Sequence, residues 1–346
     1  MHKMPSKPVG ELALIEQIRQ ASSTTRNKFV TLGIGDDCAI LRPPHGCEIL
    51  VTTDFTLEDR HFRRALHPPE SVGHRCLARG LSDLAAMGAA PLAAFLSLAL
   101  PATMLAEKSG PLWIDGFLRG LRELSEHHNV PLAGGDTSES PSRFILADII
   151  LIGSAPRGRA LRRSTARPGD AIYVTGQLGG AAAELATILS RKRRVPLPTT
   201  TENHPHLFPE PRLDTGDALL RRNLATACID ISDGLSTDLT HLCRASNVTA
   251  ELEQTAIPIH PLARKLNSSA ALKAALHGGE DYELLFTAAP TLRIPSSLAA
   301  VPITRIGTIK PKRPRQPLIT LITPDGTRTP LEPAGWEHFT SHKRPR

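Results

Sequence analysis

Residues 71–100 read SVGHRCLARGLSDLAAMGAAPLAAFLSLAL, and this stretch decides the fold. Its first part, Ser71–Met87, carries apolar residues at helical spacing, whereas Leu92–Leu100 has the length and composition of a buried strand. Gly88 and Pro91 interrupt the apolar run between these two parts, so no membrane-spanning helix is expected. The stretch therefore predicts a buried helix, a turn and a strand, which is one step of an α/β alternation.

The alternation continues on both sides of this stretch. A helix is predicted around Leu12, Ile15 and Ile18, and the later elements of the first block are Glu48–Thr53, Trp113–His127, Val130–Ala133 and Phe144–Ile152. A basic, turn-rich segment follows at residues 155–169. Beyond it, Ala171–Val174 resumes as a strand and an Ala-rich helix begins at Gly179. We therefore predict two domains: residues 1–155 form a mixed sheet with helices on one side, and residues 156–346 form an α+β domain.

The composition indicates a folded protein with a sizeable core. The chain has 346 residues, of which 40% are hydrophobic but only 4% aromatic, so Ala, Leu, Ile and Val must fill most of the interior. Much of the formal net charge of +7 lies in three short basic runs: Arg191–Arg194, Lys310–Arg315 and Lys343–Arg346. These runs suit nucleic-acid contact, but because no nucleic-acid motif or interleaved aromatic residue accompanies them, they are better interpreted as solvated loops and tail.

The cysteines and the N-terminal segment indicate a cellular compartment. The five cysteines are odd in number and form no C-x-x-C pair, which argues against a disulfide framework or a zinc knuckle. The first residues, MHKMPSKPVGELALIEQ, lack the basic-then-apolar layout of a secretory signal. We therefore expect a protein of the reducing cytoplasm that binds neither a membrane nor nucleic acid.

Although the chain is basic overall, its carboxylates concentrate in six short, turn-like motifs. The motifs are Gly35-Asp36-Asp37, Thr52-Thr53-Asp54, Ser82-Asp83, Gly134-Gly135-Asp136, Asp230-Ile231-Ser232-Asp233-Gly234 and Gly278-Gly279-Glu280-Asp281. Each alone has an ordinary interpretation as a turn, a polar helix position or a helix cap. Together they favour a shared site for a polyanion and metal ions, because converging carboxylates repel unless cations bridge them and Mg²⁺ prefers oxygen ligands.

The common nucleotide-binding signatures are missing from the sequence. There is no G-x-x-x-x-G-K-[ST] phosphate loop, and the one G-x-G, Gly33-Ile34-Gly35, continues into Asp36 instead of x-x-G. The protein-kinase signatures are absent as well. An ATP site in this chain therefore requires a less common fold.

The ordered motifs resemble those of the thiamine-monophosphate kinase family over essentially the whole chain. The matching runs are residues 32–39 (LGIGDDCA), 52–54 (TTD) with His61-Phe62 beyond, 81–88 (LSDLAAMG), 134–137 (GGDT), 163–170 (RSTARPGD), 229–235 (IDISDGL), 278–284 (GGEDYEL) and 335–339 (GWEHF). The superfamily of this family includes aminoimidazole ribonucleotide synthetase and selenophosphate synthetase. The resemblance therefore implies the fold and the use of ATP more firmly than it implies the acceptor.

The resemblance implies a function and a role for individual residues. It implies transfer of the γ-phosphoryl group of ATP to thiamine monophosphate with several Mg²⁺ ions, in a homodimer formed by the first domain, with the active site in the cleft between the domains. The implied metal ligands are Asp37, Thr52, Thr53, Asp54, Asp83, Asp136, Asp230 and Asp233. The implied nucleotide contacts are Gly135, Asp136, Arg163 and Ser232. The implied contacts to thiamine monophosphate are His61, Glu280 and Trp336.

The chemistry of this transfer suits these residue types. A terminal phosphate has a second pKa of about 6, so near neutral pH the acceptor already carries an oxygen anion and needs no protein base. The obstacle is repulsion between two anions, which metal ions held by several carboxylates relieve. Arg163 offers a planar fork to phosphate oxygens, while Trp336 offers an aromatic face and Glu280 a carboxylate to a cationic thiazolium ring.

Two features depart from the family pattern, and two other functions are conceivable. Glu58-Asp59-Arg60 stands where relatives have smaller residues near a glycine, which puts the role of His61 in question. The segment Arg191–Pro211 is unusually basic and proline-rich, and we predict an exposed loop inside the second domain. The alternatives are another ATPase of the superfamily, against which Trp336 and Glu280 argue, and a basic nucleic-acid-binding protein, which leaves the acidic motifs unexplained.

Overall fold

The computed structural model describes residues 11–22, 27–106, 109–200 and 204–336. Its chain divides into two compact units. The first comprises residues up to Leu84, Ala89–Ala160 and Thr187–Leu213, and the second comprises Ala85–Gly88, Leu161–Ala186 and the residues from Asp214 onward. The predictions made for Lys343–Arg346 and for residues 337–339 concern residues outside these ranges.

The first unit contains a four-stranded mixed sheet and four helices among its described residues. Its elements are α1 (Glu11–Ser22), β1 (Val30–Leu32), β2 (Ile40–Leu41), β3 (Cys47–Leu57), α2 (Pro69–Ala86), β4 (Ala90–Leu100), α3 (Ala102–Ala106), α4 (Ser109–His127), β5 (Leu132–Glu139) and β6 (Leu146–Pro156). The sheet order is β3-β6-β4-β5, in which β4 and β5 are parallel and the other pairs antiparallel. The predicted mixed sheet is therefore confirmed, as are the helix, turn and strand of residues 71–100.

Helix α2 covers one face of this sheet because its apolar stripe contains small residues at the contact. A methyl group on Gly80 would lie 2.8 Å from Leu151 Cδ1, so helix and sheet touch there. Helix α4 crosses α2 just as closely, since a methyl group on Gly73 would lie 1.8 Å from the Phe117 carbonyl oxygen. Leu77 and Leu81 of α2 are fully buried at this contact.

The opposite face of the sheet is open within the first unit. Strand β3 alternates between the two faces, as successive side chains of a strand must. Its residues Ile49, Val51 and Phe55 are 44%, 65% and 60% exposed, whereas Leu50 and Thr56, which point to the other face, are buried. Among the described residues of the first unit, the β3 part of this face therefore exposes three large apolar side chains.

The second unit is an α+β structure built on a mostly antiparallel sheet. Its elements are β7 (Ala171–Thr175), α5 (Gly180–Leu189), α6 (Leu213–Arg221), β8 (Ala227–Ile231), α7 (Leu235–Ser246), β9 (Val248–Glu253), α8 (Pro261–Arg264), α9 (Ser268–His277), β10 (Glu283–Ala288), β11 (Ser297–Leu298), β12 (Val301–Pro311), β13 (Ile319–Ile322) and β14 (Arg328–Pro330). The sheet order is β14-β13-β9-β12-β7-β10-β8, and β13 and β9 are its parallel pair. Helix α7 contacts β8 and β9 and buries Leu235, Leu239 and Leu242 against them.

The expectation that residues 191–211 form an exposed loop of the second domain is wrong. The segment belongs to the first unit, and Val195, Leu207 and Phe208 are buried there with Leu66 and Ile188. The Val195 amide donates to the Leu66 carbonyl over 2.9 Å. The sequence misled because these apolar anchors lie far apart among prolines and basic residues, so no periodic pattern marks them.

Two structural observations bear on the predicted cellular compartment, namely the state of the cysteines and the apolar length of the helices. All five cysteines are free thiols, and Cys76, Cys228 and Cys243 are buried. Among the described residues, no helix is both long enough and apolar enough to cross a membrane.

Three aromatic side chains hold α4 in place: Trp113 of α4 stacks on Phe62 and on Phe117.

Candidate active site

The sheet face beneath α2 holds three of the predicted metal ligands. Thr52 and Asp54 point to the same face of β3 because they are two residues apart, and Asp83 reaches this face from α2. The Thr52 hydroxyl donates to the Asp83 carboxylate. Asp54 forms an ion pair with Arg79, one helical turn before Asp83, with the Asp54 Oδ1 and Arg79 guanidinium nitrogen 3.5 Å apart.

The electrostatics of this cluster are unfavourable to a second carboxylate charge. Burial raises the pKa of Asp54 to about 6; Arg79 opposes this rise, and the charges of Asp83 and Asp148 add to it. Above about pH 6 Asp54 is therefore largely ionised, and it lies in one cluster with the oxygens of Thr52 and Asp83 and with the guanidinium of Arg79. Such a set of oxygen ligands with excess negative charge fits a hard divalent cation.

The other predicted ligands of this unit lie on the open face of the sheet. The Thr53 hydroxyl donates to Asp148 Oδ1 over 2.7 Å. Asp148 and Asp136 both flank Ser97 in the strand register, and the three residues line a groove of about 170 Å³. Strand alternation thus separates Thr53 and Asp136 from the Thr52–Asp54 set, a division that the sequence analysis did not foresee.

Asp148 is a candidate ligand that the sequence analysis missed. It lies in the middle of β6, where it interrupts the apolar run Leu146–Ile152, and a single acid in such a run reads as an ordinary half-exposed strand position. Only the strand register shows that it faces Thr53 and Asp136. The signal available in the sequence was the acid itself, because a charged residue is unusual in a central strand.

Two further residues of the first unit were predicted to belong to the site: Gly135 as a nucleotide contact and Asp37 as a metal ligand. Gly135 adopts φ +150°, and a methyl group there would lie 1.9 Å from the Leu96 carbonyl oxygen, so only glycine allows β5 to approach β4 this closely. Asp37 lies exposed in the segment after β1, where its amide donates to Asp36 Oδ1 over 2.9 Å. Gly33, at the start of that segment, lies beside Ala133 at the start of β5. The role of Asp37 as a ligand stays a prediction.

His61 is held by its ring nitrogen in a tight turn after β3. The Leu57 amide donates to His61 Nδ1 over 2.9 Å, so in the neutral ring the proton lies on Nε2, which becomes a donor. The departure at residues 58–60 is accommodated in this turn. The Glu58 side chain is 8% exposed and accepts from Arg64 and from the Ile145 amide. Asp59 takes the left-handed conformation, with φ +63°, that a glycine would adopt readily.

In the second unit, the turn after β8 collects predicted residues of three kinds. The Glu280 amide donates to the Ser232 carbonyl over 2.8 Å, and the Trp336 amide donates to the Asp233 carbonyl over 3.1 Å. Gly335 is required there, because a methyl group on it would lie 1.9 Å from the Asp233 carbonyl oxygen. The structure therefore brings together Ser232, Asp233, Glu280 and Trp336 in one unit.

A buried carboxylate that the sequence analysis missed supports this turn. Asp238, in the first turn of α7, accepts from the amides of Asp233 (3.1 Å) and Gly234 (3.0 Å). Burial raises the pKa of Asp238 well above its usual range; the charges of Asp230 and Asp233 add to this rise, and the two amides oppose it. Its carboxylate fixes the backbone on which Ser232 and Asp233 are presented. In sequence it looked like one more polar position on a helix.

The acidic motif at residues 278–284 turns out to have two functions. Glu280 takes a left-handed conformation, with φ +66°, and lies at the turn described above. Asp281 instead accepts from the amides of Gly179 and Ala181 at the start of α5, and Glu283 accepts from the Thr175 hydroxyl over 2.6 Å. Burial raises the pKa of Asp281 to about 7 despite these amides. Asp281 and Glu283 therefore support the fold, and Glu280 is the candidate ligand contact.

The remaining predicted residues of the second unit lie at different ends of β8 and α7. Asp230 is buried near the carboxyl end of β8, two residues before Ser232. The Arg163 carbonyl accepts from the Ser246 hydroxyl at the far end of α7, and the arginine is exposed. Since twelve helical residues span about 18 Å, the backbone of Arg163 lies well away from the Asp233 turn. The structure does not bring Arg163 together with the other residues of this unit.

Comparison with known proteins defines the class to which these two units belong. Residues 35–155 match the N-terminal domain of AIR synthase related proteins, and residues 167–312 match their C-terminal domain. The chain is thus a two-domain protein of the AIR synthase related class. This class is the superfamily that the ordered motifs predicted.

Three relatives narrow the class to one family. The thiamine-monophosphate kinase of Salmonella typhimurium is 37% identical over 341 residues, which cover 96% of this chain and 99% of the relative. The crystal structure of thiamine-monophosphate kinase from Stenotrophomonas maltophilia is 35% identical, with a TM-score of 0.76 over 93% of this chain and 98% of that one. The structure of AaThiL complexed with AMPPCP and TMP is 30% identical, with a TM-score of 0.72 over 98% and 100%. The chain belongs to the thiamine-monophosphate kinase family.

Proposed function

We propose that this protein is a kinase that transfers the γ-phosphoryl group of ATP directly to thiamine monophosphate, yielding thiamine diphosphate. The observation that carries the proposal is the turn after β8, where the structure assembles Ser232, Asp233, Glu280 and Trp336. Near full-length similarity to thiamine-monophosphate kinases supports the same acceptor. A further support is that a relative of this chain has been solved with AMPPCP, an ATP analogue, together with TMP.

We propose Mg²⁺ as the metal, because the available donors are carboxylates and hydroxyls. In the first unit the proposed ligands are Asp37, Thr52, Thr53, Asp54, Asp83 and Asp136, to which the structure adds Asp148 as a candidate. In the second unit the proposed ligands are Asp230 and Asp233. Bound Mg²⁺ would neutralise phosphate oxygens and so reduce the repulsion between the two anionic substrates.

The protein's own residues are proposed to position the substrates rather than to move protons. Gly135, Asp136, Arg163 and Ser232 are the proposed nucleotide contacts. His61 presents Nε2 as a hydrogen-bond donor, which suits a phosphate oxygen of the acceptor. Trp336, whose side chain is 46% exposed, offers an aromatic face to a cationic ring, and Glu280 offers a negative charge. No protein base is assigned, because the acceptor phosphate is already deprotonated near neutral pH.

We also propose that the protein is a cytoplasmic homodimer. The open sheet face with Ile49, Val51 and Phe55 exposed has the apolar character of a surface that another protein covers. A second copy of the first unit is the proposed occupant. Replacing Val51 with Glu is expected to shift the protein from dimer to monomer in sedimentation analysis, whereas Val51→Ile leaves the dimer intact.

The acceptor is tested by incubating the pure protein with Mg-ATP and, in separate reactions, thiamine, thiamine monophosphate and aminoimidazole precursors. Chromatography then identifies the products, and γ-labelled ATP shows where the phosphoryl group goes. The proposal expects labelled thiamine diphosphate from the monophosphate alone. Label in a phosphorylated amide product, or release of phosphate without labelled thiamine diphosphate, would replace it with the other ATPase chemistry of the superfamily.

A further inference from the structure

A group of metal-binding side chains lies in the first unit apart from every residue assigned above. His127 and His128 lie at the carboxyl end of α4, and Glu210 lies in the part of Thr187–Leu213 that follows α5, which also belongs to the first unit. One potential ligand atom from each of the three lies within 4.8 Å of the others. His128 Nε2 is 3.1 Å and His127 Nε2 is 3.7 Å from Glu210 Oε1.

The local backbone explains how two adjacent histidines reach the same carboxylate. Helix α4 ends at His127, His128 lies in the turn that follows, and Asn129 takes a left-handed conformation with φ +51°. The two rings meet edge to face with centroids 4.6 Å apart. In regular helix, neighbouring side chains point about 100° apart, so this approach depends on the helix ending here.

The Nε2 atom of His128 is a buried polar atom that a bound metal ion would supply with a partner. His128 Nε2 is shielded from solvent, and among the described residues it makes no hydrogen bond of good geometry even though Glu210 Oε1 is in contact. A buried ring nitrogen 3.1 Å from a carboxylate oxygen places two potential metal ligands side by side.

The segment that carries Glu210 is fixed on its inner side. His74 of α2 is buried and donates from Nε2 to the Pro209 carbonyl over 2.8 Å. Phe208 packs edge-on against the same imidazole. These contacts set the position of residue 210 before any metal arrives, which reduces the entropy lost when its carboxylate becomes a ligand.

We propose that His127, His128 and Glu210 form a site for one divalent transition-metal ion of the Zn²⁺ class, which ties residues 204–213 to the end of α4. Two imidazoles and one carboxylate are ligands that Zn²⁺ accepts and Mg²⁺ does not favour. Tetrahedral Zn²⁺ with bonds of about 2.0 to 2.2 Å needs ligand atoms roughly 3.3 Å apart, so only small side-chain rotations are needed. Three protein ligands leave the fourth position to water.

The test uses the full chain in excess Mg²⁺, so that the hard carboxylate sites are already saturated when ZnCl₂ is titrated by calorimetry. The parent protein is expected to bind one Zn²⁺ per chain, and its thermal unfolding midpoint is expected to rise by a few degrees. Co²⁺ in place of Zn²⁺ should give visible absorption bands of a low-coordinate site. Adding further MgCl₂ to the Mg²⁺-saturated protein in place of ZnCl₂ should leave the midpoint unchanged.

Variants decide which residues hold the ion. His127→Asn and Glu210→Gln change side chains that are 66% and 46% exposed, so both proteins should fold, and each should bind Zn²⁺ at least about tenfold more weakly. His45→Asn is the matched control, because His45 is an exposed histidine in another loop, and it should keep the parent affinity. Unchanged Zn²⁺ binding in both ligand variants, or no saturable binding to the parent, would overturn the proposal.

Discussion

The carboxylates of the two units are held in opposite ways. In the first unit, Asp83 of α2 accepts from Thr52, Asp54 of β3 pairs with Arg79, and burial raises the pKa of Asp54 to about 6. At the turn after β8 of the second unit, Asp238 receives two backbone amides and completes the turn by itself. The first cluster pairs a buried carboxylate with Arg79 and is proposed to bind metal ions, whereas Asp238 of the second unit is bonded by backbone amides of the turn it supports. Acidic motifs that look alike in sequence therefore have different energetic roles.

The largest expected effect comes from removing charge in the first cluster. Asp83→Asn should lower kcat roughly 10²- to 10³-fold, by analogy with the loss of a single preorganised electrostatic contact. Its thermal stability in the absence of metal should be equal to or above the parent's, because a repulsive charge is gone. Kinetics across a Mg²⁺ titration and thermal unfolding in chelator measure the two quantities.

Asp217→Asn is the control for that substitution, since Asp217 is an exposed acid paired with Arg221 on α6. It should leave kcat unchanged. If Asp83→Asn kept parental turnover at low Mg²⁺, the first cluster would not be a metal site. The proposed difference between the carboxylates of the two units would then be wrong.

The opposite result is expected in the second unit, where Asp238→Ala removes the acceptor of two buried amides. Each buried group left without a partner costs about 1 to 3 kcal/mol, so the free energy of unfolding should fall by roughly 2 to 6 kcal/mol. Asp238→Asn retains one oxygen acceptor and should lose less. Urea unfolding followed by circular dichroism compares them, and equal stability of all three proteins would show that the turn does not need the carboxylate.

The pH dependence of stability sharpens the comparison further. The pKa of Asp54 is about 6 in the folded protein, above the value of about 3.9 for an unfolded chain. Between about pH 4 and pH 6 the folded state therefore binds more protons than the unfolded state. Stability from this group is therefore present below about pH 4 and is lost as pH rises through 6. Relative to Asp54→Asn, the metal-free parent should lose about 2 kcal/mol between pH 4 and 7.

Denaturant unfolding at several pH values, in chelator, measures that difference. Adding saturating Mg²⁺ should remove most of it, since the bound ion favours the ionised carboxylate. Parallel stability curves for the two proteins in chelator would mean that Asp54 is not strained by its neighbours.

The smallest effect is expected for recognition at the second unit's turn. A cation over an indole contributes roughly 0.5 to 2 kcal/mol, so Trp336→Ala should weaken binding of thiamine monophosphate about two- to thirtyfold. Binding of a non-hydrolysable ATP analogue should not change. Calorimetry with each ligand tests this, and Trp336→Phe should recover part of the loss. Equal weakening of both ligands would assign Trp336 to folding rather than to the acceptor.

Much of the fold was predictable because its elements are long and periodic. Helix α2 and strand β4 followed from apolar spacing and from the break at Gly88 and Pro91. Strand β5 was predicted only as Val130–Ala133, yet it extends to Glu139 because Gly135 allows the backbone to approach Leu96. The sequence did not predict this extension because glycine and aspartate have low strand propensities. The extension depends on the tertiary contact between β5 and β4.

The candidate site was predictable in its residue types but not in its arrangement. Motif order identified Ser232, Asp233, Glu280 and Trp336, which the structure brings together around one turn. The supporting acid Asp238 was missed, because a carboxylate buried by tertiary contacts looks in sequence like one exposed on a helix. The division of Thr52 and Thr53 between two sheet faces required the strand register, since adjacent residues of a strand point apart.

The close approach of Gly335 to the Asp233 carbonyl has a practical consequence for how the protein is handled. Trp336 reaches the turn through the last described residues of the chain, which are threaded over the start of α7 rather than set in the sheet. A carboxypeptidase or a truncation that removes residues from 335 onward would remove Trp336 from the proposed acceptor site while sparing every strand of the described residues. Such a trimmed enzyme would pass folding assays and fail kinetic ones, so an intact mass spectrum belongs beside each activity measurement.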